Sequence, residues 1–191
     1  MRRSLLALSL LPVLSFAPAC DTGDDDATSD EAFRTGADVN MQLTESGEGG
    51  DNGTVIWDIQ EAGVYAGEAS EGNQIMELVG NEIYANGELT CTVENAYLNG
   101  RVVMGAGDEV LFTVYENEVY LGEIDAKRLG PKTKRRFADQ LLLTFDGSDV
   151  HWGHYAGEFL SANADLESAS DGRKLLIAAL VEGHCGSKGL P

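Results

Sequence analysis

Histidine, cysteine and proline are all scarce, at three, three and four residues in a chain of 191. The histidines (His151, His154, His184) and cysteines (Cys20, Cys91, Cys185) form no ligand pairs at metal-binding spacing, so no metal is expected. His151 and His154 stand three apart, which on a regular strand turns them to opposite faces, and sharing a metal would need a bulge at Gly153. Cys91, His184 and Cys185 are the other combination, and they too lack the paired spacing. The chain holds no H-E-x-x-H, no G-x-S-x-G, no P-loop and no dinucleotide fingerprint. His154 with Glu158 and Asp149 is the one acid–base grouping, and exposed strand charges account for it equally well. The sequence is therefore read as that of a protein that is not an enzyme and takes no cofactor. Positive charge is also short, with 13 bases against 32 acids and a net charge of −19. Phosphate binding requires a basic surface, which excludes nucleic acid as a partner. Few prolines beside 23 glycines fit a β protein with many turns.

What is present is a repeat. The stretch 141–159, LLLTFDGSDVHWGHYAGEF, reads as a hairpin: an apolar strand, a polar turn at Asp146-Gly147-Ser148-Asp149, and a return strand from Val150. IWDIQEAGVYAG (56–67), IMELVGNEIYANG (75–87), LFTVYENEVYLG (111–122) and LLTFDGSDVHWG (142–153) superpose on one pattern. Each has an apolar residue (Ile59, Leu78, Val114, Phe145), four turn residues, a β-branched residue (Val64, Ile83, Val119, Val150), then Tyr or His, then glycine. A fifth copy, CTVENAYLNG (91–100), is read with a turn shortened by two residues. Period-2 alternation puts Val64, Ile83, Ala96, Val119 and Val150 on one face, and Tyr65, Tyr84, Tyr97, Tyr120 and His151 on the other. That second face is either a repeated packing surface or the lining of a ligand pocket. Hairpins in series from Thr54 onward imply an all-β antiparallel meander closing into a shallow barrel.

The ends differ from the middle. MRRSLLALSLLPVLSFAPAC has two arginines, an apolar run too short to span a bilayer, and a small-residue site, which is the pattern of a signal peptide over 1–19. Here the chain resembles bacterial lipoproteins, whose signals end on a small residue before an acylated cysteine. The resemblance implies lipidation at Cys20 and a membrane partner reached through it. The other reading is simple cleavage after Ala19. From 20 to 53 the chain is read as a disordered acidic tether, since Asp21–Gly53 holds ten acids, one base (Arg34) and six glycines. The expected folded domain is then 54–191.

The repeated hairpin with its V-Y-x-G return resembles the four-fold β-flower proteins, shallow antiparallel barrels often carried on bacterial lipoproteins. An insertion at 125–140 interrupts the repeat with Lys127, Arg128, Lys132, Lys134, Arg135 and Arg136, and a short helix is predicted over Lys132–Gln140. It is either a basic patch for anionic lipid or envelope polysaccharide, or a solvated excursion balancing the domain's acids, the second being favoured. The segment 165–183 carries LLIAALV, a helix or strand that must be buried on the barrel. With Cys20 acylated, Cys91 and Cys185 are left as a pair for a disulfide, the alternative being two buried thiols.

These readings give an exported, lipid-anchored protein of the bacterial cell envelope, or a periplasmic or secreted one. Its role is structural or a protein contact. The alternative is a barrel that binds a lipid or small apolar ligand in its centre. The two differ in whether the C-terminal apolar segment fills the interior.

Overall fold

The computed structural model describes residues 40–45, 53–94, 101–104, 109–124, 134–153 and 158–189. The signal segment, Cys20, Tyr97, His154 and the bases Lys127, Arg128 and Lys132 lie outside them.

Twelve strands and one α-helix form the described fold, with every strand pairing antiparallel. In chain order the strands are β1 (Met41–Glu45), β2 (Val55–Ile59), β3 (Gly63–Ala66), β4 (Gln74–Val79), β5 (Glu82–Ala85) and β6 (Glu88–Glu94). They continue as β7 (Arg101–Met104), β8 (Val110–Tyr115), β9 (Glu118–Leu121), β10 (Leu141–Asp146), β11 (Asp149–Trp152) and β12 (Glu158–Ala162). The helix, α1, is Asp171–Glu182. Each strand pairs with its neighbours in sequence, and β1 pairs with both β2 and β12.

The repeat is visible in the register. Within hairpins the directly opposed pairs are Ile59↔Val64, Leu78↔Ile83, Val93↔Val102, Val114↔Val119 and Phe145↔Val150. Leu43↔Ala162, joining β1 to β12, is the equivalent pair made from the two ends of the sheet. That makes six units, where the resemblance implied four. Val64, Ile83, Val119 and Val150 all have zero exposure, which fits one apolar face alternating with a polar one.

Between units the ladder skips one residue each time. Val64↔Met76 is followed by Tyr65↔Gln74, leaving Ile75 unpaired, and Thr90, Leu111, Leu142, Phe159 and Ile56 are skipped in the same way. Such bulges bend the strand and increase its twist, which lets short strands curve around an apolar body. The skipped residues are apolar in five of the six places because they still pack on the core, as Ile56, Ile75, Leu111 and Phe159 do. The glycine of the sequence motif completes the device. Gly67, Gly122 and Gly153 donate N–H bonds to the carbonyls of Ile56, Leu111 and Leu142 at 2.7, 2.7 and 2.8 Å. At Gly122 φ is 73°, a left-handed conformation that glycine takes without strain; in β5 the same place falls to Asn86 at 54°.

α1 packs on the apolar face and is buried from Gly172 to Val181 on all its sides. A helix suits this place because it satisfies its own backbone groups, so it can be wrapped by side chains without needing a strand partner. Ser170 caps its start by accepting from the Arg173 N–H, and Gly183, at φ 74°, ends it by donating to the carbonyls of Ala179 and Leu180.

Three expectations need correction. The folded part begins before residue 54, since β1 lies inside the stretch read as tether. Its alternation is only five residues long, with Met41 and Leu43 buried, and the acidic composition around it hid the signal. In the fifth repeat copy the strand that pairs back on β6 is Arg101–Met104, with Val102 opposite Val93, while Ala96 and Tyr97 lie outside the described residues. Its connection is therefore longer than the others, not shorter. In the insertion the predicted helix is a 3₁₀ segment, Lys134–Gln140. Of the two readings open for the C-terminal apolar run, the helix is the one observed.

Candidate functional site

Two surfaces compete for a functional role: the apolar face around α1 and the outer face that carries the tyrosines. The first is filled. Leu175, Leu176, Ile177, Ala178, Ala179 and Leu180 all have zero exposure and join the sheet's inward residues in one core. The helix is fastened at both ends. At its start the Lys174 ammonium donates to the carbonyls of Glu116 and Glu167 and to Asn117 Oδ1 at 3.2, 3.1 and 3.0 Å. Arg173, fully buried, donates to the carbonyl of Gln60 at 3.4 Å. The acceptors of both include hairpin turns, so these cations tie the helix to the turn ends of β2–β3 and β8–β9. Burial lowers both pKa values, that of Arg173 to about 10, with nearby Glu61 opposing the shift.

At the other end Cys185 is bonded to Cys91 of β6, with the Cα atoms 5.4 Å apart. The Thr90 hydroxyl also donates to the Cys185 carbonyl at 3.0 Å. His184 packs edge-on against Phe112 at 5.5 Å. Both described cysteines are thus spent in the disulfide. A disulfide is compatible with a compartment outside the cytoplasm.

Tyr65, Tyr84, Tyr120 and His151 occupy equivalent register positions, each beside a bulge on the outer face. They do not line an interior. Two of them are held by an acid two residues earlier on the same strand face: the Tyr84 hydroxyl donates to Glu82 Oε2 at 2.6 Å, and that of Tyr120 to Glu118 Oε2 at 2.5 Å. The pKa of Tyr84 is raised, first by this hydrogen bond. That of Tyr120 is raised further, first by burial and then by Glu118. Tyr120 is the covered one, packed with Ile124 under Phe137 and Leu141 at the end of the basic insertion. The sequence carries a sign of these pairs that the repeat reading passed over, an acid two residues before the aromatic in E-I-Y and E-V-Y.

Tyr65 breaks the rule. Gly63 stands where the other copies have Glu82, Glu118 and Asp149, and among the described residues the Tyr65 hydroxyl has no hydrogen-bond partner. The β3–β4 connection is also long, whereas β5–β6 is joined by Asn86 and Gly87 alone. The long loop is ordered by Asn73, whose amide donates to the carbonyls of Ala66 and Glu68 at 2.9 and 2.6 Å and whose Oδ1 accepts from the Ser70 N–H at 2.9 Å. It is tied to β2 through Asp58, only 5% exposed, which accepts from the Ala69 N–H at 3.3 Å. Asp58 also accepts from Gln42 Nε2 at 2.9 Å and Gln60 Nε2 at 3.5 Å. Between loop and strands lies a cleft of about 390 Å³ lined by Gln60, Tyr65, Ser70, Glu71 and Gln74. A Cβ at Gly63 would meet the Gln74 amide nitrogen and the Met76 carbonyl oxygen, so a side chain there would push Gln74 out of its place in this wall.

Comparison with protein-family models, with curated proteins and with solved structures finds no match to this chain.

Proposed function

We propose that this is an exported, lipid-anchored envelope protein whose sheet closes as a barrel around α1 and whose outer surface makes its contacts, without catalysis. The observation that carries the reading is the burial of α1 on every side. Side chains from Leu175 to Val181 take up the space that a lipid would need, so a central ligand is disfavoured. Closure is supported by β1 pairing on both its edges, which leaves no strand of the series with a single neighbour. Attachment through Cys20 rests on the signal pattern. Among the described residues no helix is long and apolar enough to cross a membrane, so the proposed anchor is the acyl group. The 20 residues between Cys20 and Met41 would span up to about 70 Å if extended, enough to hold the fold away from the bilayer.

Cys20→Ser is expected to move the protein from the membrane fraction to the soluble exported fraction, with its melting temperature unchanged. Fractionation of cells expressing each form checks this. A serine variant that stays with the membrane would sink the anchoring proposal.

A further inference from the structure

We infer that the cleft over Tyr65 is a binding site for a neutral sugar. This deepens the outer-surface reading and rests on it only in placing the ligand outside the barrel. Among the described residues the repeat departs from itself in three ways at once at the β2–β3 unit. Unit one replaces the acid before the tyrosine with Gly63, leaves the Tyr65 hydroxyl without a partner among the described residues, and adds an ordered loop, tied through Asp58, that walls the space. The loop is built by side-chain hydrogen bonds, so the cleft is formed before any ligand arrives.

The lining selects the chemical class. Gln60 and Gln74 line it with carboxamides whose nitrogens also donate to Asp58 and to the Met76 carbonyl, Ser70 and Tyr65 with hydroxyls, and Glu71 with a carboxylate, a set that can both donate to and accept from hydroxyl groups. Tyr65 supplies an aromatic ring for the C–H face of a sugar. No base is among the described residues that line the cleft and the chain carries a net charge of −19, so an anionic ligand is repelled. A cation fits less well, because Asp58 already accepts three N–H bonds, leaving Glu71 as the one carboxylate lining the space among the described residues. An apolar ligand finds too many polar groups. The volume of about 390 Å³ lies at the small end of the usual range for ligand sites, roughly 300–1,000 Å³, and suits one or two sugar rings.

The test uses the full chain carrying Cys20→Ser, so that the outcome does not depend on membrane attachment. Maltose, cellobiose and N,N′-diacetylchitobiose are each titrated to about 10 mM, with saturation transfer from protein to sugar protons as the readout; dissociation constants near 1 mM are expected for so open a cleft. Tyr65→Ala should weaken binding at least tenfold. Tyr84→Ala, the same change at the equivalent place in the next unit, should leave it unaltered. Tyr65→Phe keeps the ring and loses the hydroxyl, so it should bind at intermediate strength, and its fold is checked by circular dichroism. Absence of binding by all three sugars overturns the inference, as does equal loss in the Tyr65 and Tyr84 variants.

Discussion

Leu176→Ala is expected to lower the stability of the fold by about 2–5 kcal/mol, the range for removing a fully buried leucine side chain. The upper half of that range is expected. Leu176 has zero exposure in the middle of a helix buried on all its sides, and the strands nearest that helix, β7 to β9, are fixed by ladders on both edges. A wall held in that way collapses little into a cavity, so most of the lost packing is not recovered. Leu89, at 40% exposure, is the control: its replacement by alanine should change stability by less than about 0.5–1 kcal/mol. Urea denaturation of both variants reads the difference, with m unchanged if the folded and unfolded states keep their compactness. Equal, small effects at both positions would mean that α1 is not part of the core.

The second large effect belongs to the disulfide. Cys91 and Cys185 are separated by 94 positions, and a cross-link closing a loop of that length restricts the unfolded chain by about 4–5 kcal/mol in the chain-entropy model. The double variant Cys91→Ser/Cys185→Ser is therefore expected to lose about 2–5 kcal/mol, with the measured loss set also by enthalpy and by structure in the unfolded state. Local structure argues against a value near zero. The bond fixes the turn that follows α1, beside Gly186, whose site is closed off by Ala85 and Thr90. Reduction with dithiothreitol should move the denaturation midpoint of the wild type to that of the double variant. If reduction leaves the midpoint in place, the cross-link contributes nothing that the packing does not already supply.

Much of the sheet was legible because its register repeats. Opposed pairs such as Leu78↔Ile83 and Val114↔Val119 could be read from the spacing of apolar residues around polar turns. The bulges were not legible, although their residues were in plain view: I-W, I-M, L-F and L-L are adjacent apolar pairs that break strict alternation, which is what a skipped core-facing residue requires. The fifth copy misled because Val-Glu-Asn-Ala-Tyr imitates the motif in the wrong register, while the true return, Arg-Val-Val-Met, lacks the tyrosine. β1 was lost for a different reason. Its alternation is five residues long, and the glycine- and acid-rich stretch 46–53 between it and its partner β2 reads as part of a tether as readily as a turn. The role of the tyrosines depends on which way the sheet curves, and that is decided by the helix; a strand pattern alone says only that they share a face. The cleft at Tyr65 was hidden in a difference between copies, Gly63 against Glu82 and Glu118, which superposing the copies by their similarities does not bring out.

α1, buried from Gly172 to Val181, is an integral filling of the fold and not a detachable cover. Native-state hydrogen exchange on the amides of Leu176, Ile177, Ala178, Ala179 and Leu180 tests this directly. If the helix is enclosed as described, these amides open only with the whole sheet, and the free energy from their exchange equals that of global unfolding measured in denaturant. Exchange of the helix by a lower-energy opening, with the amides of Ile83, Val119 and Val150 still protected, would contradict it. The interior would then be accessible in the native state, and the alternative of a central ligand would be favoured.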